Sequence, residues 1–374
     1  MKIYSLQENL KAGLLKVGHL AGKNINLPIL NNVLIKADEN NIKLITTNLE
    51  IGIVCEVRGK IEKQGAFTAD SRLLTDCISL LPNKKIGLEQ KEDSLVVDGE
   101  NFKVKIKGQL ADEFPLIPTV ERNKPYILET EAFKKALSQA VFAVSAAESR
   151  LELTGVLFSF LGNQLILTAT DSYRLAEKKV NLISNNKEER KVIVPPKTLQ
   201  ELLRILTTSQ QDEMEEQKQI KFYLSDNQIL FHYGTTDLIS RLIEGQYPDY
   251  QQIIPTVSKT KVIIERAELV RAVKMASLFS KTGINDINLD FPAGKNQLII
   301  SSISSQTGEN ITTLQAKTSG PDNSIVLNFR YLLDGLNNID SEMVKLEIID
   351  ANTPCLLRPE KENDYLYIIM PIKQ

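Results

Sequence analysis

The hydrophobic positions follow two rhythms, one of helical spacing and one of strict alternation, and each recurs along the chain. Helical spacing appears first at Leu6, Leu10, Leu14 and Val17. It returns after Thr130 at Phe133, Leu137, Ala140, Val141 and Val144, and again at Leu269, Val273 and Ala276 behind the strand-like Val262-Ile263-Ile264. Apolar residues three and four apart share one helix face, so each block predicts an amphipathic helix. Leu10, Phe133 and Leu269 correspond, at offsets of 123 and 136 (133 − 10 and 269 − 133). Ser5-Leu6-Gln7-Glu8 has the form of a capping box, with Ser5 as N-cap and Glu8 reaching back. A second helix is predicted in each third over residues 71–81, 197–206 and 330–339, aligned on Leu74, Leu203 and Leu333.

Between the helices the rhythm is that of strands, at residues 33–37, 51–57, 95–97, 102–107, 156–160, 220–224, 229–233, 345–349 and 365–370. One strand is nearly spelled three times: Asn-Asn-Ile-Lys-Leu-Ile from Asn40, Asn-Gln-Leu-Ile-Leu-Thr from Asn163 and Asn-Gln-Leu-Ile-Ile-Ser from Asn296. The offsets, 123 and 133, are whole-domain lengths (163 − 40 and 296 − 163). Strands that outnumber helices and are joined by short turns predict an α+β fold with antiparallel sheets. Three like domains are expected in tandem, over residues 1–122, 123–255 and 256–374. Aromatic-proline pairs, Phe114-Pro115 and Tyr247-Pro248, leave the first two copies at an offset of 133 (248 − 115). Residues 185–190 and 207–219 are polar and predict exposed loops. The middle copy continues its repeat strand into Thr170-Asp171-Ser172-Tyr173-Arg174-Leu175, where it is expected to depart from the other two.

Composition adds bounds. A length of 374 residues, 42% apolar and 25% charged, is ordinary for a soluble protein of two or three domains. No apolar run is long enough for a membrane span, and the amino terminus lacks a signal-peptide pattern. Cys55, Cys77 and Cys355 are odd in number and widely spaced, and read as thiols in a reducing cytoplasm. The net charge of −2 exerts no global pull on nucleic acid, so any such binding depends on where the 45 basic residues sit.

Catalytic equipment is sparse. The two histidines read as a helix-end residue, His19, and a strand residue, His232, and no metal or cofactor set is expected. Asp171, Tyr173 and Arg174 could serve an enzyme as acid and clamp, or form a turn with a surface ion pair. The helices say more. Opposite the apolar stripes lie Lys11 and Lys16, then Lys134 and Lys135, then Arg271 and Lys274. The second helices add Arg72, Lys197, Arg204 and Arg330. Basic residues recurring on equivalent helices predict a positive surface that contacts phosphates without reading sequence. The absence of tryptophan and 6% aromatics argue against a base-stacking platform.

Taken in order, several motifs resemble one family, the bacterial DNA polymerase III beta subunit or sliding clamp. They are Leu27-Pro28-Ile29-Leu30, Thr170-Asp171-Ser172-Tyr173-Arg174-Leu175-Ala176, Val192-Ile193-Val194-Pro195, Gly245-Gln246-Tyr247-Pro248-Asp249-Tyr250 and Tyr367-Ile368-Ile369-Met370-Pro371-Ile372. The resemblance implies three clamp domains per chain and a head-to-tail homodimer closing a ring around duplex DNA, with the basic helices lining the hole. By matched position Lys23 and Arg150 join the DNA-facing set. The strand carrying Lys103, Val104, Lys105 and Ile106 would meet the partner near Leu278 and Phe279, where the nearby strand offers one acidic residue, Glu309. A pocket for short peptide motifs would comprise Leu153, Thr170, Ser172, Tyr173, Arg174, Leu175, Pro248 and Ile253, with Asn328, Tyr331, Met370, Pro371 and Ile372. Its rim has Ser172-Tyr173 and Gln252 where the family commonly has Gly-His and Arg. Implied partners are the polymerase catalytic subunit, the clamp loader, repair polymerases, mismatch-repair proteins and ligase. The competing readings are a peptide-binding scaffold that never encircles DNA and an enzyme using Asp171, Tyr173 and Arg174.

Overall fold

The computed structural model describes residues 1–22, 26–147, 149–184, 186, 188–208 and 218–373. Six α-helices occur among them: α1 Gln7–Val17, α2 Ser71–Leu80, α3 Thr130–Ala140, α4 Pro196–Thr208, α5 Arg266–Ser277 and α6 Phe329–Asn337. The rest is mostly antiparallel strand, as the alternating pattern requires. Residues pointing inward and outward alternate along Asp286–Phe291, Gln297–Ser304 and Met343–Ile348. Val156–Leu161 is buried on both faces and is accordingly apolar at every position except Ser159.

The chain divides into two compact units. Unit 1 comprises residues 1–134, 182–186 and 197–242. Its thirteen-stranded sheet runs from Tyr126–Glu129 through Thr236–Arg241, Ile51–Val57, Asn41–Thr47 and Asn32–Asp38 to Phe102–Leu110 and Lys60–Lys63. Unit 2 holds residues 135–181, 187–196 and 243–374. It contains a nine-stranded sheet from Arg190–Val194 through Gln164–Thr170, Arg174–Asn181, Tyr365–Ile369 and Cys355–Pro359 to Lys317–Ser319. A separate four-stranded sheet has Gly308–Gln315 at one edge and Asn323–Asn328 at the other. Within unit 1, α1 packs on α2, and within unit 2, α5 packs on α6.

The helices bury the expected faces, with three differences. The Ser5 capping box does not form: Leu6 occupies the N-cap of α1, and the Ser5 hydroxyl donates to the Arg58 carbonyl at 2.5 Å. Glu8 instead accepts from the Asn83 amide at 3.0 Å, while true side-chain caps appear at Asp70 for α2 and Asn328 for α6. Helix α3 ends at Ala140, where a 3₁₀ turn over Val141–Ala143 takes over, so Val144 lies beyond the helical face. The inward leucines of the second helices are Leu74, Leu202 and Leu332, with Leu203 and Leu333 only half-buried. Aligning Leu203 and Leu333 with Leu74 therefore sets the register one residue late. His19 follows the end of α1 and His232 lies in the strand Gln228–Tyr233, as their neighbours predict. The cysteines are free thiols, and burial pushes that of Cys355 up to about 12. No helix among the described residues is long and apolar enough to cross a membrane. Most of residues 207–219 lies outside the described residues.

Unit 2 keeps three tyrosines, Tyr250, Tyr365 and Tyr367, buried in its core and a fourth, Tyr247, half-buried against it. Burial, aided at Tyr250 by Glu177, raises the phenol pKa of Tyr247, Tyr250, Tyr365 and Tyr367 above the ordinary 10.0. A folded-state pKa above the unfolded value means the stabilisation is complete below 10 and is lost as pH climbs through the folded values. Unit 2 is therefore expected to lose stability only above about pH 10. The check is thermal unfolding against pH with phenolate absorbance; ionisation of these four tyrosines ahead of unfolding would contradict it.

Candidate functional site

At the end of the strand Gln164–Thr170 the chain turns tightly before entering Arg174–Asn181. The turn is held by two side chains. Thr170 Oγ1 donates to the Arg174 carbonyl at 2.6 Å and accepts from the Ser172 amide at 3.1 Å. Asp171 Oδ1 accepts from the amides of Tyr173 and Arg174 at 2.9 and 3.0 Å. Ser172 takes a left-handed conformation, φ +75°, which a short polar residue adopts at modest cost.

Arg174 anchors the other side. Its side chain is 12% exposed, and each of the three guanidinium nitrogens is engaged. Nε donates to Asp171 Oδ2 at 3.0 Å, Nη1 pairs with Asp334, and Nη2 donates to the Phe142 carbonyl at 3.1 Å. The cation lies 4.8 Å from the Tyr331 ring centroid and 5.6 Å from that of Phe142. Burial opposes the charge, but Tyr367, Asp334 and Asp171 outweigh it, so the pKa stands above the ordinary arginine value. With both oxygens of Asp171 committed, the turn has no carboxylate free for acid–base work.

The carboxyl-terminal segment completes the site through main-chain bonds. Arg174 and Leu175 pair with Ile369 and Ile368 across the sheet. The Met370 amide then donates to the Tyr173 carbonyl, and the Ile372 amide to that of Val326, both at 2.8 Å. Tyr173, 63% exposed, stacks on Tyr331 with ring centroids 6.4 Å apart. The Tyr331 carbonyl accepts from the Tyr367 hydroxyl at 2.9 Å, fixing the start of α6 whose N-cap is Asn328. Beneath lies an apolar floor of Leu157, Leu175, Ile193, Tyr250, Leu356 and Ile368, with Tyr247 packed against it. Pro248 and Ile253 flank Tyr250, and Leu153 is buried in a 3₁₀ turn, Leu151–Leu153, whose Glu152 abuts Gly245. The structure thus gathers Thr170, Ser172, Tyr173, Arg174, Leu175, Asn328, Tyr331, Met370, Pro371 and Ile372 directly. Leu153, Pro248 and Ile253 belong to the elements bordering the same floor. Asp334, Phe142 and Tyr367, which fix Arg174 and Tyr331, were not legible beforehand; only folding brings them near.

The middle copy departs less than its sequence implies. In unit 1, Thr47 Oγ1 donates to the Ile51 carbonyl at 2.9 Å and accepts from the Leu49 amide at 3.1 Å. Asn48 Oδ1 accepts from Glu50 and Ile51 at 3.0 and 2.7 Å, and Leu49 has φ +77°. The Arg241 amide donates to the Glu50 carbonyl at 3.1 Å, as Met370 does to Tyr173. The same turn is therefore present in the first copy, bond for bond, and the Thr-Asx pairs Thr47-Asn48 and Thr170-Asp171 were its available signal.

The basic residues fall into two groups. Among the described residues no carboxylate forms an ion pair with Lys11, Lys16, Arg72, Lys197, Lys274 or Arg330, and Arg271 is 70% exposed with Glu268 at 3.9 Å. The others are engaged. Lys134 is only 14% exposed and pairs with Glu131, Lys135 pairs with Glu362 and Arg150 with Glu152. Arg204 donates to the carbonyls of Leu15 and Lys16 at 2.7 and 2.5 Å, closing the end of α1. Lys23 lies outside the described residues. Along Phe102–Leu110, Ile106 is buried, Val104 half-buried, and Lys103 and Lys105 exposed. Residues 102–107 pair with Ser94–Gly99 on one side, leaving the other edge open among the described residues. Leu278 is 66% exposed, and the edge strand Gly308–Gln315 shows Ile311 and Glu309 outward.

Repeated α+β domains, sheets continued from one copy into the next and an aromatic shelf over an arginine define a binding protein of the DNA-clamp class. The comparisons agree. Residues 1–118, 127–249 and 251–373 match the amino-terminal, central and carboxyl-terminal domains of the DNA polymerase III beta subunit. The chain is 32% identical to the beta sliding clamp of Staphylococcus epidermidis over 93% of its own length and 92% of that relative. It is 28% identical to that of Synechocystis, covering 100% and 99%. Among solved structures, the Bacillus subtilis DNA polymerase sliding clamp superposes with a TM-score of 0.92 at 27% identity, covering 100% of this chain and 99% of that one. The Pseudomonas aeruginosa DNA polymerase III beta subunit gives 0.93 at 25% identity, covering both chains fully. The chain belongs to the DNA polymerase III beta subunit family.

The first copy fills the Asp171 position with Asn48, so the turn needs the acceptor rather than the charge. Asp171→Asn is expected to cost about 1 kcal/mol, because Asp334 still faces Arg174, and Asp171→Ala about 1–3 kcal/mol more. Urea denaturation of both variants checks this; equal costs would show that the amide acceptor is immaterial.

Proposed function

We infer that the chain acts as a DNA sliding clamp, encircling duplex DNA and tethering the replicative polymerase and other DNA-processing proteins. It is an accessory subunit and not an enzyme. The observation that carries this reading is the match of all three repeats to the beta subunit family along nearly the whole chain. We place its domains at residues 1–122, 123–255 and 256–374. Two copies would join head to tail, the open edge of residues 102–107 with Lys103 and Lys105 meeting the exposed Leu278 and Glu309 and the half-buried Phe279 of a second copy. Such a heterologous contact makes a closed ring if two steps complete the rotation. A closed ring holds DNA by topology, so phosphate contacts can stay weak enough to permit sliding.

For that role Lys11, Lys16, Arg72, Lys197, Arg271, Lys274 and Arg330 are the side chains free to meet phosphates. Lys134, Lys135, Arg150 and Arg204 contribute field but are tied to local partners. The shelf of Tyr173, Tyr331, Met370, Pro371 and Ile372 suits the apolar anchors of a short peptide, with the polar turn as its rim. Its expected occupants are motifs of the polymerase catalytic subunit, the clamp loader, repair polymerases, mismatch-repair proteins and ligase, acting in the cytoplasm.

Light scattering over a concentration series should find about twice the chain mass of 42.0 kDa. Protein loaded on circular plasmid should be released when the plasmid is cut, and retention after cutting would favour a scaffold without topological linkage. Arg271→Glu with Lys274→Glu should weaken retention on DNA and flatten its salt dependence while peptide affinity stays unchanged. Deleting Met370–Gln374 should lower affinity for a polymerase tail peptide more than about tenfold and leave the dimer intact. Normal peptide binding by that truncation would rule out the shelf.

A further inference from the structure

The shared turn marks a wider equivalence between the junctions inside the two units. In unit 1, Ile51–Cys55 pair with Ser240–Thr236; in unit 2, Arg174–Lys178 pair with Ile369–Tyr365. The offsets are constant at 123 (174 − 51) and 129 (369 − 240). Leu34 and Ile239 thereby correspond to Leu157 and Ile368 of the shelf's floor, and the exit segment from Phe114 corresponds to that from Tyr247.

The two junctions fill the space beneath the exit segment differently. In unit 2 it holds the rings of Tyr247 and Tyr250: Tyr250 donates to Glu177 at 2.6 Å and Tyr247 to the Thr168 carbonyl at 3.4 Å. In unit 1 the residues standing for Tyr247, Tyr250 and Glu177 are Phe114, Ile117 and Val54, so one ring is kept without its hydroxyl while the other, with its carboxylate partner, is replaced by smaller aliphatic side chains. Ile117 lies against Gly52, where an added Cβ would come within 2.8 Å of it. The result is a cavity of about 480 Å³ lined by Leu34, Ile45, Val54, Ile117, Leu230 and Ile239. That volume is within the range of built ligand sites, and apolar lining of this kind takes a ring more readily than water.

Charge marks one wall. Lys36 and Lys43 both line the cavity and stand directly opposite each other on paired strands. Like charges so placed repel. Their partners Asp38 and Glu56, at 2.7 and 3.6 Å, are exposed and about half solvated, so these pairs offset little. The corresponding unit 2 positions are Ser159 and Ile166, so the lysine pair is particular to the first copy. Arg122 at the opposite rim is already matched by Asp237.

We propose that this cavity is a second docking site, separate from the shelf, for an acidic peptide segment carrying one aromatic side chain. The ring enters the space that Tyr250 occupies in unit 2, beside the resident Phe114 that lines the cavity, and the flanking carboxylates meet Lys36 and Lys43.

The test uses the full chain and a fluorescein-labelled peptide, Asp-Asp-Phe-Leu-Asp-Asp, with isoleucine-methyl NMR as locator. Saturable binding that shifts the methyls of Ile45, Ile117 and Ile239 is expected. Ile117→Tyr, which refills the cavity, and Lys36→Ser with Lys43→Ile, which install the unit 2 residues, should each weaken it about tenfold or more. Their thermal midpoints should hold, and deletion of Met370–Gln374 should leave the affinity unchanged. The proposal is overturned by absence of saturable binding up to about 1 mM, by affinity indifferent to both variants, or by loss of binding on the terminal deletion. The last outcome would assign the probe to the shelf, whose own reading depends on the tail peptide instead.

Discussion

The structure depends on sheet continuation from one repeat into the next. The last strand of one copy pairs antiparallel with the fourth strand of the copy before it, at Ile51–Cys55 with Thr236–Ser240 and at Arg174–Lys178 with Tyr365–Ile369. Each junction is thus a ladder of main-chain bonds, whose groups would be costly to bury unpaired. It also removes two sheet edges that would otherwise stand open. Because the ladder runs on into Met370 and Arg241, whose amides bond to Tyr173 and Glu50, each turn is fixed by strand pairing rather than by loop contacts.

Placing the site at such a junction explains its combination of apolar floor and rigid rim. The floor belongs to the sheet and the rim to the turn, while Arg174 joins them. A buried guanidinium is tolerated when its donors are matched, and here two carboxylates, a carbonyl and two ring faces match them. Tyr331 contacts both the Arg174 guanidinium and the Tyr173 ring, so an exposed aromatic surface is ordered before any ligand arrives. Pre-ordering lowers the entropy cost of binding a flexible peptide.

The repeat and the helices were legible because they rest on periodicity and on residues close in sequence, whereas the pocket residues, drawn from both the middle and the end of the chain, were named only through the family resemblance. Leu10, Phe133 and Leu269 sit where their spacing demands, and Ile51–Val57 has the predicted bounds. What escaped was decided by competition between partners. Ser5 could cap α1, but the Arg58 carbonyl, 53 residues away, takes its hydroxyl. Arg204 has the position of a phosphate ligand, yet the frayed carbonyls ending α1 lie within its reach. Choosing Leu202 over Leu203 depends on a rotation of one residue, which a pair of adjacent leucines cannot specify.

The two copies of the turn also show what the backbone restricts and what it leaves open. Four main-chain groups must be satisfied by a hydroxyl at the first position and a carbonyl or carboxylate oxygen at the second, so Thr47 and Thr170, Asn48 and Asp171 vary little. The next residue must take positive φ, which Leu49 and Ser172 both do. Beyond these demands Glu50 and Tyr173, Ile51 and Arg174, Gly52 and Leu175 differ in charge and size. One hydrogen-bonded frame therefore carries an aromatic shelf in one unit and a lysine-edged cavity in the other. The difference lies in side chains that the frame does not use.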